Sequence, residues 1–426
     1  MKERLRPYLT TERFLAFLAF AIPLFYFAQI DLVGKLYLNE VFYLLLLPFL
    51  FYFRSSLMHR KILLLVLLAL AVWLLAQVAT DVIRHTAFHD YARGWAKILF
   101  TATNLCAMYL IVYRSRRRLV LLSYGLALGT LLHAFVTDDP TLRGTPWQLG
   151  YGWGVSWLIV AAGVTFAASS HYKLRHWIPV ACAALASALN FYMGYRSMGG
   201  ILFISTCYLT LQCLQPRPAR QSPGLRRIAL LCVFGILAAT AALKTYEGLA
   251  LHGWLGSYEQ TRVTDQSDGA YGLLLGGRFE IIVSSQAIAK SPWIGHGSWA
   301  TDCHYRDLYD QLKHAAGYIG GEWGSCVIPS HSYLMSAWVD AGILGALVWL
   351  VFAGLAIRAL LSVHVQRDKL TPLVIFGSLW TLWNIAFSPF AGEARFTFPF
   401  FLILMLMHLP NPRVAWRTLL TSRPKP

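Results

Sequence analysis

The chain has 426 residues, of which 57% are hydrophobic and only 13% charged. A soluble domain is about 45–50% apolar and about 25% charged, so this composition excludes a water-soluble globular enzyme and a disordered protein. The formal net charge is +17; in a soluble protein that would point to nucleic acid, but here its meaning depends on where the positive residues lie.

A bilayer core is crossed by about 20 mostly apolar residues per helix. In chain order, twelve stretches meet that description: 14–30, 36–53, 62–79, 95–113, 119–136, 151–170, 178–194, 197–214, 228–244, 332–357, 370–388 and 396–410. The first lacks a small-residue cleavage site and runs into Gln29, Asp31 and Lys35, so it reads as a retained helix rather than a signal peptide. The seventh and eighth are short and separated only by Tyr195 and Arg196; one long kinked segment is the alternative. One connection is long, 245–330, and short helices are expected in it at 278–290 and 303–316. The expected organisation is all-α and integral to the membrane: nine helices in 1–244, the loop 245–330, then three helices and a tail in 331–426.

The positive residues fall on one side of this arrangement. Arg54, Arg60 and Lys61 form one cluster, Arg114 with Arg116, Arg117 and Arg118 a second, and Arg217, Arg220, Arg226 and Arg227 a third. With both termini and the loops 171–177 and 358–369, that side holds 24 Lys and Arg against 3 Asp and Glu; the rest of the chain holds 13 against 17. Such asymmetry places the basic side and both termini in the cytoplasm and the long loop outside. The basicity therefore reports orientation, and no nucleic-acid partner is expected.

Five of the seven cysteines lie in expected spans, while Cys303 and Cys326 share the external loop. In an oxidising compartment these two can pair, with two free thiols as the alternative. No Cys or His spacing indicates a metal site, and no cofactor is expected.

Polar residues at the outer ends of helices are the functional candidates. Arg196 sits in Gly194-Tyr195-Arg196-Ser197-Met198-Gly199-Gly200, a tight junction between spans; it can bind phosphate in a bidentate way or simply snorkel to the interface. Arg278 follows Gly276-Gly277 and precedes Glu280, an arrangement suited to an anion at a helix start or to an Arg278–Glu280 pair. His331, in Pro329-Ser330-His331-Ser332-Tyr333, stands where the loop re-enters the membrane, and histidine can act as a base near neutral pH. Arg143 and Arg395 share that face as weaker substrate-binding candidates, with structural ion pairs as the competing role. Glu280, Glu322 and Asp340 remain open as carboxylate nucleophiles.

Taken in order, these features resemble the O-antigen ligase and polymerase superfamily of bacterial envelope glycosyltransferases. The resemblance rests on Arg196 followed by small residues, Gly277-Arg278 in a long loop, the run Ser291-Pro292-Trp293-Ile294-Gly295-His296-Gly297-Ser298-Trp299, and His331-Ser332 with Gly342-Ile343 beyond it. It covers about residues 190–350 and the hydropathy of the whole chain. It implies a GT-C-like fold and metal-independent transfer of a glycan from undecaprenyl diphosphate at the periplasmic face of the inner membrane. For a ligase the acceptor is lipid A–core oligosaccharide; for a polymerase it is another lipid-linked repeat. The ligase is favoured because the one large loop leads directly into the His331 motif. A polytopic transporter of lipid-linked sugars is the reading from another class; it predicts charge at the bilayer midplane, where this sequence has little. Membrane lipids are the remaining expected partner.

Overall fold

The computed structural model describes residues 2–137, 145–170, 174–214, most of 240–264, 278–315, 324–365, 367–390 and 392–409. The helices relevant here are α1 (Lys2–Leu24), α2 (Leu38–Arg54), α3 (Lys61–Arg84), α4 (Phe88–Val112), α5 (Arg116–Val136), α6 (Gly152–Ser169), α7 (Ile178–Tyr192) and α8 (Arg196–Leu214). They continue with α9 (Phe279–Lys290), α10 (Cys303–Ala315), α11 (Tyr333–Val365), α12 (Thr371–Phe387) and α13 (Ala394–His408). A small antiparallel hairpin, Gln29–Asp31 with Lys35–Tyr37, is the one sheet among the described residues.

Among the described residues, seven helical segments are long and apolar enough to cross a membrane: Leu38–Met58, Lys61–Arg84, Phe88–Val112, Arg116–Val136, Pro146–Ser169, Arg196–Leu214 and Tyr333–Val365. The outward side chains suit lipid, with Leu45, Leu75, Phe135 and Phe166 exposed on four of them. The chain is thus an all-α, multi-pass membrane protein. The expected ninth span, 228–244, lies almost wholly outside the described residues. The expected seventh and eighth are two separate helices: α7 ends at Tyr192, Gly194 takes φ +74, and α8 starts at Arg196.

The last two helices depart from the lipid-facing pattern. α13 is apolar apart from Arg395 and Thr397 in its first turn and His408 at its end, and every residue from Ala394 to Leu406 is buried. A helix with no polar face belongs inside a bundle. At 15 residues it is about 22 Å long, shorter than a bilayer core, and it packs against α4, α11 and α12 rather than lipid. It is the hub around which the longer helices are arranged.

α11 is a broken helix. Ala341 and Gly342 leave helical geometry, with Gly342 at φ +66 and ψ −162. That region of backbone space is essentially open to glycine alone. The break separates a short outer segment, which follows His331 directly, from the long membrane segment beyond it.

Candidate active site at one end of the bundle

The described part of the long loop folds on a small core of its own. α9 buries Phe279, Val283, Ala287 and Ile288 against Tyr305 and Tyr309 of α10, with Ile328 and Val339 completing the cluster. Cys303 and Cys326 are joined in a disulfide. Next to it the Asp302 N–H donates to the Cys326 carbonyl at 2.7 Å and the Ile328 N–H to the Ala300 carbonyl at 3.0 Å. These ties bring the strand-like segment 326–330, and hence His331, over the start of α9. Ser332 then caps α11: its hydroxyl accepts from the Met335 N–H at 3.1 Å and donates to the Ile385 carbonyl at 2.7 Å.

The result is a cluster of three ionisable groups from two distant segments. His331 Nδ1 lies 3.9 Å from Glu280 Oε1, an electrostatic contact rather than a hydrogen bond. Tyr309 donates its hydroxyl to the same Glu280 oxygen at 3.3 Å. Glu280 Oε2 is buried and has no hydrogen-bond partner among the described residues. Arg278 donates to the Phe387 carbonyl at 3.0 Å, at the C-terminus of α12, and its guanidinium lies over the rings of Trp383 and Phe387. The Arg278–Glu280 ion pair open to the sequence does not form at salt-bridge distance among the described residues.

Burial dominates the electrostatics. It pushes the His331 pKa below the ordinary histidine value; Glu280 opposes that shift and Arg278 adds to it. The imidazole is therefore neutral at neutral pH and able to accept a proton. Burial also lowers the Arg278 pKa, with Glu280 opposing, but a guanidinium starts so high that it stays cationic.

A second network fixes this cluster in place, and nothing in the sequence pattern announced it. Asp81, on α3, accepts from the Ser298 N–H at 2.6 Å, the Ser298 hydroxyl at 2.7 Å and Trp95 Nε1 at 2.7 Å. Thr80 donates to the Ile294 carbonyl at 2.6 Å, and Arg84 to the Gly295 carbonyl at 3.0 Å. Lys97, on α4, pairs with Asp340 at 2.6 Å. The N–H groups of His296 and Gly297 donate to the carbonyls of Val339 and Asp340, which the α11 break leaves without helical partners. A side chain at Gly342 would run into the Trp293 carbonyl. The segment 291–298 is thus inserted at the break, which explains both the glycine of the His331 motif and the Ser-Pro-Trp-Ile-Gly-His-Gly-Ser run. Asp340 is tied into this network through its Oδ2 contact with Lys97.

The other arginines differ in placement. Arg196 opens α8 with its guanidinium 5.6 Å from the Tyr246 ring centroid. Arg395 is nearly buried, donating to Glu40 Oε2 at 2.8 Å and the Lys35 carbonyl at 2.7 Å, with Asn104 bonded to both Glu40 and the Arg395 carbonyl. It forms a buried ion pair, the competing role the sequence offered, and the Glu40 that holds it lies 355 residues away in sequence. Arg143, Gly276, Gly277 and Glu322 lie outside the described residues.

One carboxylate passed over in the sequence, Glu393, is held at the start of α13. Glu393 is exposed to water, yet burial pushes its pKa up. Tyr26 donates to it at 3.5 Å. Burial, with the charge of Glu393 second, raises the pKa of Tyr195, next to Arg196 in the chain. Tyr333, two residues beyond His331, meets the Phe390 ring edge to face, with centroids 4.9 Å apart.

No known protein family matches the chain, and no curated protein matches it.

Proposed function

We propose that this protein is an O-antigen ligase: a glycosyltransferase that moves a glycan from undecaprenyl diphosphate to lipid A–core oligosaccharide at the periplasmic face of the bacterial inner membrane. The observation that carries the reading is the meeting of His331, Glu280 and Arg278, a neutral base, an orienting carboxylate and a desolvated cation, in one partly open site. The reading carries with it twelve spans in a GT-C-like arrangement, with both termini on the basic, cytoplasmic side.

The chemistry follows from the roles available. Glu280 beside Nδ1 favours the tautomer with its proton there, leaving the Nε2 lone pair as the base. The acceptor hydroxyl attacks the anomeric carbon and its proton passes to His331. The glycosidic bond to the diphosphate breaks at the same time, on the opposite face, and the anomeric centre inverts. Negative charge grows on the departing lipid diphosphate, and fixed cations aimed at it lower the barrier. Arg278 supplies one, and Arg196 a second. Arg143 remains a candidate donor contact.

The test is a transfer assay with the purified protein, lipid-linked donor and lipid A–core acceptor, without ATP or divalent metal. Wild type should form the ligated product, and His331→Ala should not, although it elutes and melts like wild type. Equal transfer by His331→Ala would overturn the proposal. Elongation of glycan on the lipid carrier, with lipid A–core left unused, would reassign the protein as a polymerase.

A further inference from the structure

The basic end of the bundle holds a feature that orientation alone does not require. Three adjoining cavities meet between α1, α2, the start of α3 and the α4–α5 turn. One, of 500 Å³, is lined by Arg60, Arg114, Tyr113 and Ser56. The next, of 380 Å³, shares Tyr113 and Arg114 with it and adds Arg54, Arg118 and Glu12. The third, of 510 Å³, shares Arg54 and Leu15 with the second and is otherwise apolar, walled by Phe14, Leu18, Leu46, Phe49 and Phe53. A cationic chamber thus continues into a hydrophobic cleft that opens on the lipid-facing surface, where Phe14, Phe49 and Phe53 are exposed.

The charges in this chamber are unequal. Arg118 is neutralised: it bonds the Ile111 and Tyr113 carbonyls and pairs with Glu12 at 3.4 Å. Glu12, paired with Arg118, is the one acid among the described lining residues, so Arg60 and Arg114 alone already leave the chamber positive. Arg60 is held by its bond to the Leu409 carbonyl at 3.1 Å. Arg114 sits at φ +55, a left-handed conformation uncommon for a residue with a side chain. Its neighbours in the same basic run behave differently: Arg116 pairs with Asp368 at 3.2 Å, and Arg117 lines none of these cavities. Interfacial arginines that only set orientation need a path to water; they do not need a concave site joined to an apolar cleft.

We infer that this composite pocket binds an anionic phospholipid of the adjacent leaflet, the headgroup phosphate among Arg54, Arg60 and Arg114 and an acyl chain in the cleft between α1 and α2. Basic pockets between membrane helices are suited to such headgroups, and arginine forks match phosphate oxygens. The cleft accounts for the preference for a lipid over a free anion: only a lipid fills both chambers. The inference is independent of the catalytic reading, since the pocket lies at the opposite end of the bundle.

The test uses the full-length protein in neutral detergent, stripped of lipid, with dioleoyl phosphatidylglycerol, dioleoyl phosphatidylcholine or inorganic phosphate added. Retained lipid is counted by native mass spectrometry and the melting temperature is followed. Phosphatidylglycerol should be retained and should raise the melting temperature more than either other addition. Arg114→Gly, which suits the left-handed backbone, should fold and bind phosphatidylglycerol about fivefold more weakly, as expected for the loss of about 1 kcal/mol per basic residue. Arg60→Gln should do the same where it folds. Arg117→Gln, outside the pocket, should bind as wild type. Equal retention of the two lipids, undiminished binding by Arg114→Gly, an equal loss in Arg117→Gln, or full stabilisation by inorganic phosphate would each overturn the inference.

Discussion

Two carboxylates near the start of α11 are treated in opposite ways. Asp340 meets Lys97 at 2.6 Å, in a network whose neighbouring backbone groups are also bonded. Glu280 meets His331 only at 3.9 Å, and one of its oxygens has no partner among the described residues. A buried charge that is fully paired holds elements together and has nothing left to offer a ligand. A buried charge with unused capacity is costly to the fold, and such groups cluster where function needs them. The first network makes the scaffold; the second cluster, a few residues away, is the part able to act.

Breaking the slack cluster should leave the fold and remove the chemistry. His331→Ala should lower transfer by about 10²–10⁴-fold, the usual contribution of a general base, with the melting temperature unchanged. Breaking the locked network should do the reverse. Lys97→Met leaves Asp340 buried without its partner and should cost about 3–5 kcal/mol, read as a lower melting temperature. Adding Asp340→Asn should recover much of that loss, because the stranded charge is gone. A single variant as stable as wild type would place this pair among contacts that contribute little.

The disulfide offers a smaller separation. Cys303→Ser with Cys326→Ser should cost about 2–4 kcal/mol, loosening the loop core more than the membrane helices. Finding both thiols free to alkylate in the unreduced, folded protein would remove this expectation. The smallest effect is a change in pH dependence. His331 must be neutral to accept a proton, so transfer should fall as pH drops through its pKa, which burial sets below the ordinary histidine value. Glu280 opposes that shift, so Glu280→Gln should move the acid limb to lower pH. Arg278 adds to it, so residual activity in Arg278→Gln should have its acid limb at higher pH. Limbs that stay put in both variants would dissociate His331 from the observed profile.

Much of this was legible in the sequence, for local reasons. Short helices expected at 278–290 and 303–316 appear as Phe279–Lys290 and Cys303–Ala315, because each carries its apolar positions at helical spacing. The cysteine pair was visible as two thiols in one external loop, though only the fold decides that they meet. Arg278 and His331 stood out because charge at the edge of an apolar span is conspicuous. What was not legible depends on contacts across the chain. Arg395 looks like a substrate arginine until Glu40 is brought beside it. Asp81 reads as the end of a span until Ser298 fills its hydrogen bonds. Glu393, near a more prominent arginine, gives no sign that the Tyr26 hydroxyl reaches it across the chain. The last two helices read as ordinary spans of near-bilayer length, whereas α13 is buried from Ala394 to Leu406.

The break at Gly342 also divides the molecule in time. Residues 333–340 are bonded to the inserted segment 291–298, while the helix beyond the break belongs to the membrane bundle. Cooperative opening follows such bonding rather than helix boundaries drawn on the chain. In hydrogen exchange, the amides of the outer segment of α11 should therefore exchange together with those of 291–298, at one shared rate, and faster than the amides of 345–360 in the same helix. The base at position 331 would then ride on a unit that opens and closes as a single piece, without disturbing the span to which it is covalently joined.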